Sequence, residues 1–335
     1  MNKFFLFKIY IIVSLLVCCM AFNSCDKDDE VEEDIENTEN KDDDNGDDGG
    51  SAGVPVNVLD KIKDPNFKAR ILRMIERGKI ITASSDKLTK EEAAQVKIFD
   101  IYGWDIKSLE GLEYFTELTE LNCNTNKVGS LDLSKNTKLE ILRCNECELT
   151  SLNVSNNKEL HTLQCWKNNL QSIDVSKCPK LTIFECNDNK LTKMDVSKNK
   201  ELRYFICSDN MISGTMDISA CSVIREMKTS QNPITAIKLN PAIEYLTCVL
   251  NDLSELDLSK CTNLKKIMCT RNPKMLSLDI TNNRKLTNVT CGGVYGEPPI
   301  TLYVWWDVNP NNMWASRPKE ISIGVGYNGV MKTKK

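Results

Sequence analysis

The chain has 335 residues, with 43 Lys or Arg, 47 Asp or Glu and a single histidine, His161. One histidine excludes histidine-rich metal sites and leaves any catalytic triad dependent on that residue. The formal charge of −4 hides a split: 14 acids lie between Asp26 and Gly50, leaving 39 basic against 33 acidic residues in 51–335. That excess is too weak and diffuse for nucleic acid, which needs a concentrated basic stripe.

At the N-terminus Lys3 precedes and Lys8 interrupts the apolar run Phe4 to Val17, which is too short for a good spanning helix. Phe22-Asn23-Ser24-Cys25 then sets a small residue before a cysteine. The pattern resembles a bacterial lipoprotein signal, although Phe22 and Asn23 are unusual at their places in it. The run Cys25-Asp26-Lys27-Asp28-Asp29-Glu30 resembles the acidic surface-export signal of Bacteroidetes lipoproteins. The resemblance implies removal of 1–24, lipidation at Cys25 and an outer-membrane, surface-exposed protein that meets the membrane through its lipid alone. Residues 25–53 carry few apolar side chains and many like charges, so they cannot offset their chain entropy and read as a disordered acidic tether. A calcium loop does not fit there, because Gly46 as the turn glycine places Lys41 at the first ligand position and Ala52 at the last.

Residues 54–95 hold two helix signals. Asp64 is an N-cap with Pro65 at the first helical position, Phe67, Ile71 and Ile75 on one face and Gly78 past the last turn. Thr89 and Glu92 have capping-box spacing for a short second helix through about Gln95.

From 96 to 294 the chain repeats. Cys123, Cys144, Cys165, Cys186 and Cys207 stand 21 residues apart, Thr229 fills one place, and Cys248, Cys269 and Cys291 resume the beat. A period of this length means one small unit stacked on itself, a solenoid. In register the rungs read L-x-x-L-x-C-x-x-N-x-L-x-x-L-D-L-S-x-N. One inward set is Leu139, Leu142, Cys144, Leu149, Leu152 and Val154, and later copies include Ile173 and Met194. Alternation across L-x-C predicts a short strand with one buried face, and stacked copies predict a parallel sheet. Asn126, Asn168, Asn189, Asn210, Asn232, Asn251 and Asn272 form a second column, with Cys147 in the exceptional place. A third column exchanges the same two residue types: Asn136, Asn157, Cys178, Asn199, Cys221, Cys261 and Asn283. Both columns fall where the chain turns while buried, so small side chains that bond locally to the backbone are expected.

These motifs resemble the leucine-rich repeat family, and Leu131-Asp132-Leu133-Ser134-Lys135-Asn136 is similar to the short repeats of Bacteroidetes surface proteins. The resemblance covers about 96–294, ten rungs if Phe99-Asp100-Ile101 is the first. It implies an α/β solenoid with a parallel sheet on the concave face and short turns or 3-10 segments on the convex face. The two helices look like the cap that precedes such repeats. In many relatives a calcium loop joins them; here Ala83-Ser84-Ser85-Asp86-Lys87 has too few carboxylates, so no metal is carried over. Past Cys291, Ile300 to Trp306 and Ile321 to Val325 are β-prone and separated by Asn309-Pro310-Asn311-Asn312. They are expected to form a β cap over 295–335, with Trp305 or Trp314 as the sharper alternative of a binding surface.

Neighbouring ladder thiols at about 4.8 Å strand spacing are within nominal disulfide range. The strict dihedral and the regular ladder favour free buried thiols, and Cys144-Asn145-Glu146-Cys147 spans two repeat columns rather than forming a metal knuckle. Asp132, Asp174, Asp195, Asp217, Asp257 and Asp279 recur once per rung, which assigns them to a turn rather than to catalysis. No phosphate loop, nucleophile elbow or zinc-protease helix is present, so a non-enzymatic chain without cofactor is expected.

Binding then falls to the outward residues of the strands, in three columns. Ile141, Ile183, Tyr204 and Tyr245 lie in the first, Arg143, Gln164, Glu185 and Ile206 in the middle, and Trp166 in the last. Apolar residues on four consecutive rungs beside Arg143 fit a protein interface, and β-propensity alone is the alternative. The leading expectation is a protein partner from a host or neighbouring cell. A glycan is the second, with Trp166, Tyr204 and Tyr245 as stacking platforms and Asn124, Asn145 and Asn187 bonding hydroxyls; a structural envelope role without soluble ligand is the third.

Overall fold

The computed structural model describes residues 56–82, 84–293, 298–309, 312, 317–325 and 329–334. The signal, Cys25, the tether, Ala83 and Trp314 lie outside them.

Eleven parallel strands make the main sheet: Ile98–Asp100, Glu120–Asn122, Ile141–Arg143, Thr162–Gln164, Ile183–Glu185, Tyr204–Ile206, Glu226–Lys228, Tyr245–Thr247, Lys266–Thr270, Asn288–Gly292 and Ser322–Val325. Register follows the repeat, with Leu121 opposite Leu142, Leu142 opposite Leu163 and Leu163 opposite Phe184. A slip of one residue would turn every Leu and Phe of this row out to solvent, which fixes the pairing. The row and the cysteine ladder are fully buried, and the Phe184 and Phe205 rings stack with centroids 5.6 Å apart. Ile173 and Met194, read as inward, are only partly buried against the core. All the ladder and turn thiols in the described residues are free.

The turns explain the Asn and Cys columns. Asn168 Nδ2 donates to the carbonyls of Cys144 and Cys165, both at 2.9 Å, and its Oδ1 accepts from the N–H groups of Cys147 and Leu149 at 3.1 and 3.0 Å. One side chain thus satisfies backbone groups of two rungs that have left the strand ladder. In the other column only donation is needed. Asn157 Nδ2 reaches the carbonyls of Leu133 and Asn136, whereas the Oδ1 atoms of Asn136, Asn157, Asn199 and Asn283 are buried without a partner. A thiol is also a donor: Cys178 Sγ lies 3.6 Å from the carbonyls of Val154 and Asn157. That shared donor role is why Asn and Cys exchange there.

The repeated Asp accepts the N–H two residues on, as in Asp132 to Ser134 at 2.9 Å and Asp174 to Ser176 at 2.8 Å. These bonds hold the carboxyls of Asp132 and Asp174 below their ordinary range.

Helix α1 is Pro65–Glu76, capped by Asp64, and α2 is Lys90–Ala93 with the Thr89/Glu92 box. Helix α2 ends short of the expected Gln95. Asp64 is buried because it has two tasks: Oδ1 accepts from Phe67 N at 2.8 Å, and Oδ2 from Lys107 N and Ser108 N at 2.8 and 3.2 Å. It ties the helix to the first rung, where Phe67 meets Phe99 edge-on and Phe99 packs on Phe115.

Two findings differ from the sequence reading. The convex side is mostly turns, but Gly214–Asp217 pairs with Ile234–Lys238, and Ser277–Asp279, Thr301–Val304 and Val330–Thr333 form a three-stranded parallel sheet. Seven positions separate Asn210 from Asp217 and Asn272 from Asp279, against six from Asn189 to Asp195. The extra residue falls in the first strand of each set, whereas Ile234–Lys238 forms with the ordinary six positions from Asn232 to Lys238, and the first pair carries its irregularity at Gly214 and Thr215. At the C-terminal end, the two β-prone runs do not pair with each other as a separate cap. Thr301–Val304 extends the back sheet, and Ser322–Val325 lies parallel on Asn288–Cys291 as the eleventh strand of the main sheet.

The donor argument predicts unequal costs. Asn168→Cys keeps a donor but strands two N–H groups, and should lower unfolding free energy by about 2 kcal/mol or more. Cys178→Asn should change it by less than about 1 kcal/mol. Urea unfolding midpoints check both, and equal losses would contradict the assignment.

Candidate functional site

The expected partner-binding residues stand on strands of the concave sheet, except Trp166, which follows the strand Thr162–Gln164. Ile141, Thr162, Ile183, Tyr204, Glu226 and Tyr245 succeed one another in one register row. Arg143, Gln164, Glu185, Ile206 and Lys228 form the next. Same-face residues along a strand are about 7 Å apart and rungs about 4.8 Å, so Ile183, Tyr204 and Ile206 adjoin. Tyr204 and Tyr245 are exposed at 39% and 38%, while Ile141, Trp166, Ile183 and Ile206 are half-buried. Tyr245 is separated from Tyr204 by Glu226, and Ile141 from Ile183 by Thr162, which shares their row and is buried.

Polar members pair within the face. Arg143 Nη1 bridges to Glu120, Gln164 Nε2 donates to Glu185 Oε2 at 2.9 Å, and Lys228 Nζ meets Glu226 Oε1 at 2.8 Å. Such half-exposed pairs contribute little to stability, but they hold side chains in place around the apolar residues.

The last column is more committed than the sequence implied. Asn124 Oδ1 accepts from Asn145 N at 2.8 Å, and Asn145 Oδ1 from Trp166 N at 3.0 Å. Asn145 is buried. The two amide oxygens expected to bond glycan hydroxyls therefore serve the turn ladder, and Asn187 Nδ2 donates to Asp188 at 2.7 Å.

Sequence reasoning missed the residue before each ladder Asn. Thr125, Glu146, Lys167, Asp188, Asp209, Gln231, Leu250 and Arg271 all have φ between 51° and 58°, the left-handed region where L side chains are uncommon. Its signal was the column itself, variable in type but fixed in place before Asn. This geometry aims Lys167 back over Trp166, with Nζ 5.3 Å from the ring centroid. Ile98 and Tyr102 open the first and last outward columns on the first rung and are exposed at 57% and 58%. His161 stands at its rung start with Nδ1 3.0 Å from Thr162 Oγ1.

Asp209 is half-buried, and burial, with the nearby Asp188 charge, pushes its carboxyl up to about 6, while the Gln231 amide opposes the shift. A raised carboxyl means that ionisation opposes folding: the native state is favoured while Asp209 is protonated and loses stability as pH rises through about 6. Asp209→Asn should therefore raise the melting temperature at pH 7.5, with the gain vanishing below about pH 4. Thermal scans across pH check this; an equal gain at both ends would contradict it.

No family model matches the chain. Over 86 residues it is 32% identical to internalin J of Listeria monocytogenes serotype 4b (strain F2365), a stretch that is 26% of this chain and 9% of that protein. The solved functional domain of InlJ from Listeria monocytogenes, which includes a cysteine ladder, is similar over 83% of this chain and 62% of that domain, with a TM-score of 0.61 and 27% identity. The chain thus spans less than two thirds of either. Internalin InlF of Listeria monocytogenes str. 4b F2365 matches at TM-score 0.56 and 16% identity, over 82% of this chain and 98% of InlF. The leucine-rich repeat domain of APL1B also gives 0.56 and 16%, over 80% and 74%. These last two show the fold alone. The described residues form a leucine-rich repeat solenoid.

Proposed function

We propose that this is a surface lipoprotein, anchored through Cys25, whose concave sheet binds a protein partner and performs no chemistry of its own. The observation that carries the reading is the set of apolar and aromatic side chains in the outward columns of neighbouring rungs. Tyr204 and Tyr245 expose more than a third of their surface, and Trp166, Ile183 and Ile206 sit half-buried beside them. Aromatic residues at the centre of a patch with charged neighbours are the composition of binding hot spots. A rigid sheet presents them without ordering cost, which favours affinity. Arg143, Gln164 and Glu185 would rim the contact.

Glycan binding ranks second because the Asn124 and Asn145 oxygens are already engaged by backbone N–H groups. Trp166, Tyr204 and Tyr245 remain stacking platforms under that reading. The similarity to the InlJ domain supports a repeat scaffold of this type with a cysteine ladder.

The partner test is a screen of the surface-displayed chain against host and bacterial proteins, alongside a glycan array. Trp166→Ala with Tyr204→Ala should weaken the captured protein interaction at least tenfold while leaving the melting temperature within a few degrees. Unchanged binding in the double variant would remove the concave patch as the site. Separately, Cys25→Ala should abolish lipid incorporation and release the chain from the membrane fraction, read by mass spectrometry and fractionation.

A further inference from the structure

Where the chain turns out of the concave sheet on three neighbouring rungs, an open pocket of about 440 Å³ is lined by Gln231, Pro233, Leu250, Asn251, Arg271 and Pro273, with Asp252 at its edge. The repeat departs from its pattern at this place. Only 19 positions separate Asn232 from Asn251, against 21 from Asn251 to Asn272. Pro233 and Pro273 follow their turn asparagines where earlier rungs have Asn169 and Lys190, and both are exposed. A proline ring is apolar and fixed in φ, so the two make rigid walls.

Three lining groups lack what their counterparts on other rungs have. Leu250, at φ 57°, is the one apolar member of the left-handed column and leaves 36% of its surface exposed. It bears backbone strain and exposure together, where asparagine or glycine would avoid both. Arg271 makes no ion pair among the described residues, and Asp252 bridges to Lys274 at 3.4 Å instead. The third is Asn251, whose Oδ1 is buried without a donor although its Nδ2 is held by the carbonyls of Thr229 and Val249 at 3.0 and 3.3 Å. Its equivalents Asn189, Asn210 and Asn272 accept from the N–H groups of Leu170, Leu191 and Leu253 at 3.0, 3.0 and 3.2 Å. The corresponding residue before Asn251 is Ile234, which opens the convex strand Ile234–Lys238 and does not bond to it. A buried acceptor without a donor is costly, and a donor brought from outside recovers that cost.

An apolar surface between rigid walls, an unanswered cation and an acceptor wanting a donor are complementary to one chemical unit. The last residue of a polypeptide carries a side chain, a carboxylate and an amide N–H on a single carbon, whereas an internal acid sets its carboxylate apart from the apolar side chain. We propose that this pocket receives the C-terminal residue of a partner polypeptide, an apolar residue whose side chain lies on Leu250 between Pro233 and Pro273, whose carboxylate meets Arg271 and whose N–H is offered to Asn251. The site stands past the turn from the concave strands and requires neither Trp166 nor Tyr204.

The test is isothermal titration of the full chain with the peptide acetyl-Ala-Ala-Leu bearing a free carboxylate, its C-terminal amide, its N-methyl-leucine form, and acetyl-Asp-Leu-Ala amide, which sets an internal acid beside a leucine. Saturable binding of the free acid is expected, at least tenfold weaker for the amide and for the internal acid, and weaker for the N-methyl form. Arg271→Gln should weaken the free acid at least tenfold, and Arg271→Lys should weaken it less, because charge is kept and the fork lost. Leu250→Asn should also weaken it at least tenfold while the melting temperature holds or rises, since asparagine accepts the left-handed backbone. The site is overturned if no free acid binds saturably, if the amide binds as well as the acid, or if Arg271→Gln and Leu250→Asn, folded by their melting temperatures, bind as the parent does. Equal binding of acetyl-Asp-Leu-Ala amide would overturn the C-terminal assignment, and equal binding of the N-methyl form would overturn the role of Asn251.

Discussion

Everything in this fold depends on satisfying backbone groups where the chain leaves a strand while still buried. A parallel ladder pairs the strand, and the next turn must then bend inside the solenoid, where an unpaired carbonyl or N–H costs as much as a lost hydrogen bond. Asn168 and its equivalents meet that cost once per rung by bonding to two rungs together. Cys147 stands in for one of them, with Sγ 3.0 Å from the Cys123 carbonyl. On the convex side a donor alone suffices, and Asn or Cys supplies it. The cysteines are thus packing residues and weak donors. Burial raises the thiol pKa of the ladder members, to about 12 for Cys207 and Cys248, which suppresses the nucleophilic thiolate.

Because turns and core are settled by inward residues, the outward residues of the sheet are released from structural duty. Tyr204 and Tyr245 illustrate that freedom, and Asn124 and Asn145 mark its limit, since their outward position still serves the neighbouring backbone. Function on such a scaffold is written in side chains that the repeat does not specify. The concave patch is one such place.

Much of this was legible in the sequence because the period is rigid. The spacing of Cys123, Cys144 and Cys165 fixes the register that places Ile183 opposite Tyr204. Asp64 and Thr89 announce their helices through capping chemistry that acts within four residues. What escaped depended on one-residue differences or on contacts between rungs. The convex strand Gly214–Asp217 has one position more between Asn210 and Asp217 than its counterparts, too small a change to read as a strand, and its partner Ile234–Lys238 has none. The eleventh strand, Ser322–Val325, has Val325 in the place of the ladder cysteine, so the cysteine beat could not claim it. Lys167 over Trp166 required knowing that the residue before Asn168 is left-handed. The Arg70 and Arg73 contact with Trp104 joins residues more than 30 positions apart, beyond the reach of local pattern.

The central claim, that the recurring ladder thiols are buried, unbridged packing residues of the scaffold, is tested most directly by timed alkylation of the reduced native chain followed by peptide mass spectrometry. The account predicts that Cys123, Cys144, Cys165, Cys186, Cys207, Cys248, Cys269 and Cys291 stay unmodified until denaturant unfolds the solenoid, and that all then react together. Rapid labelling of these residues in the folded chain, or their recovery as inter-rung disulfides, would contradict it.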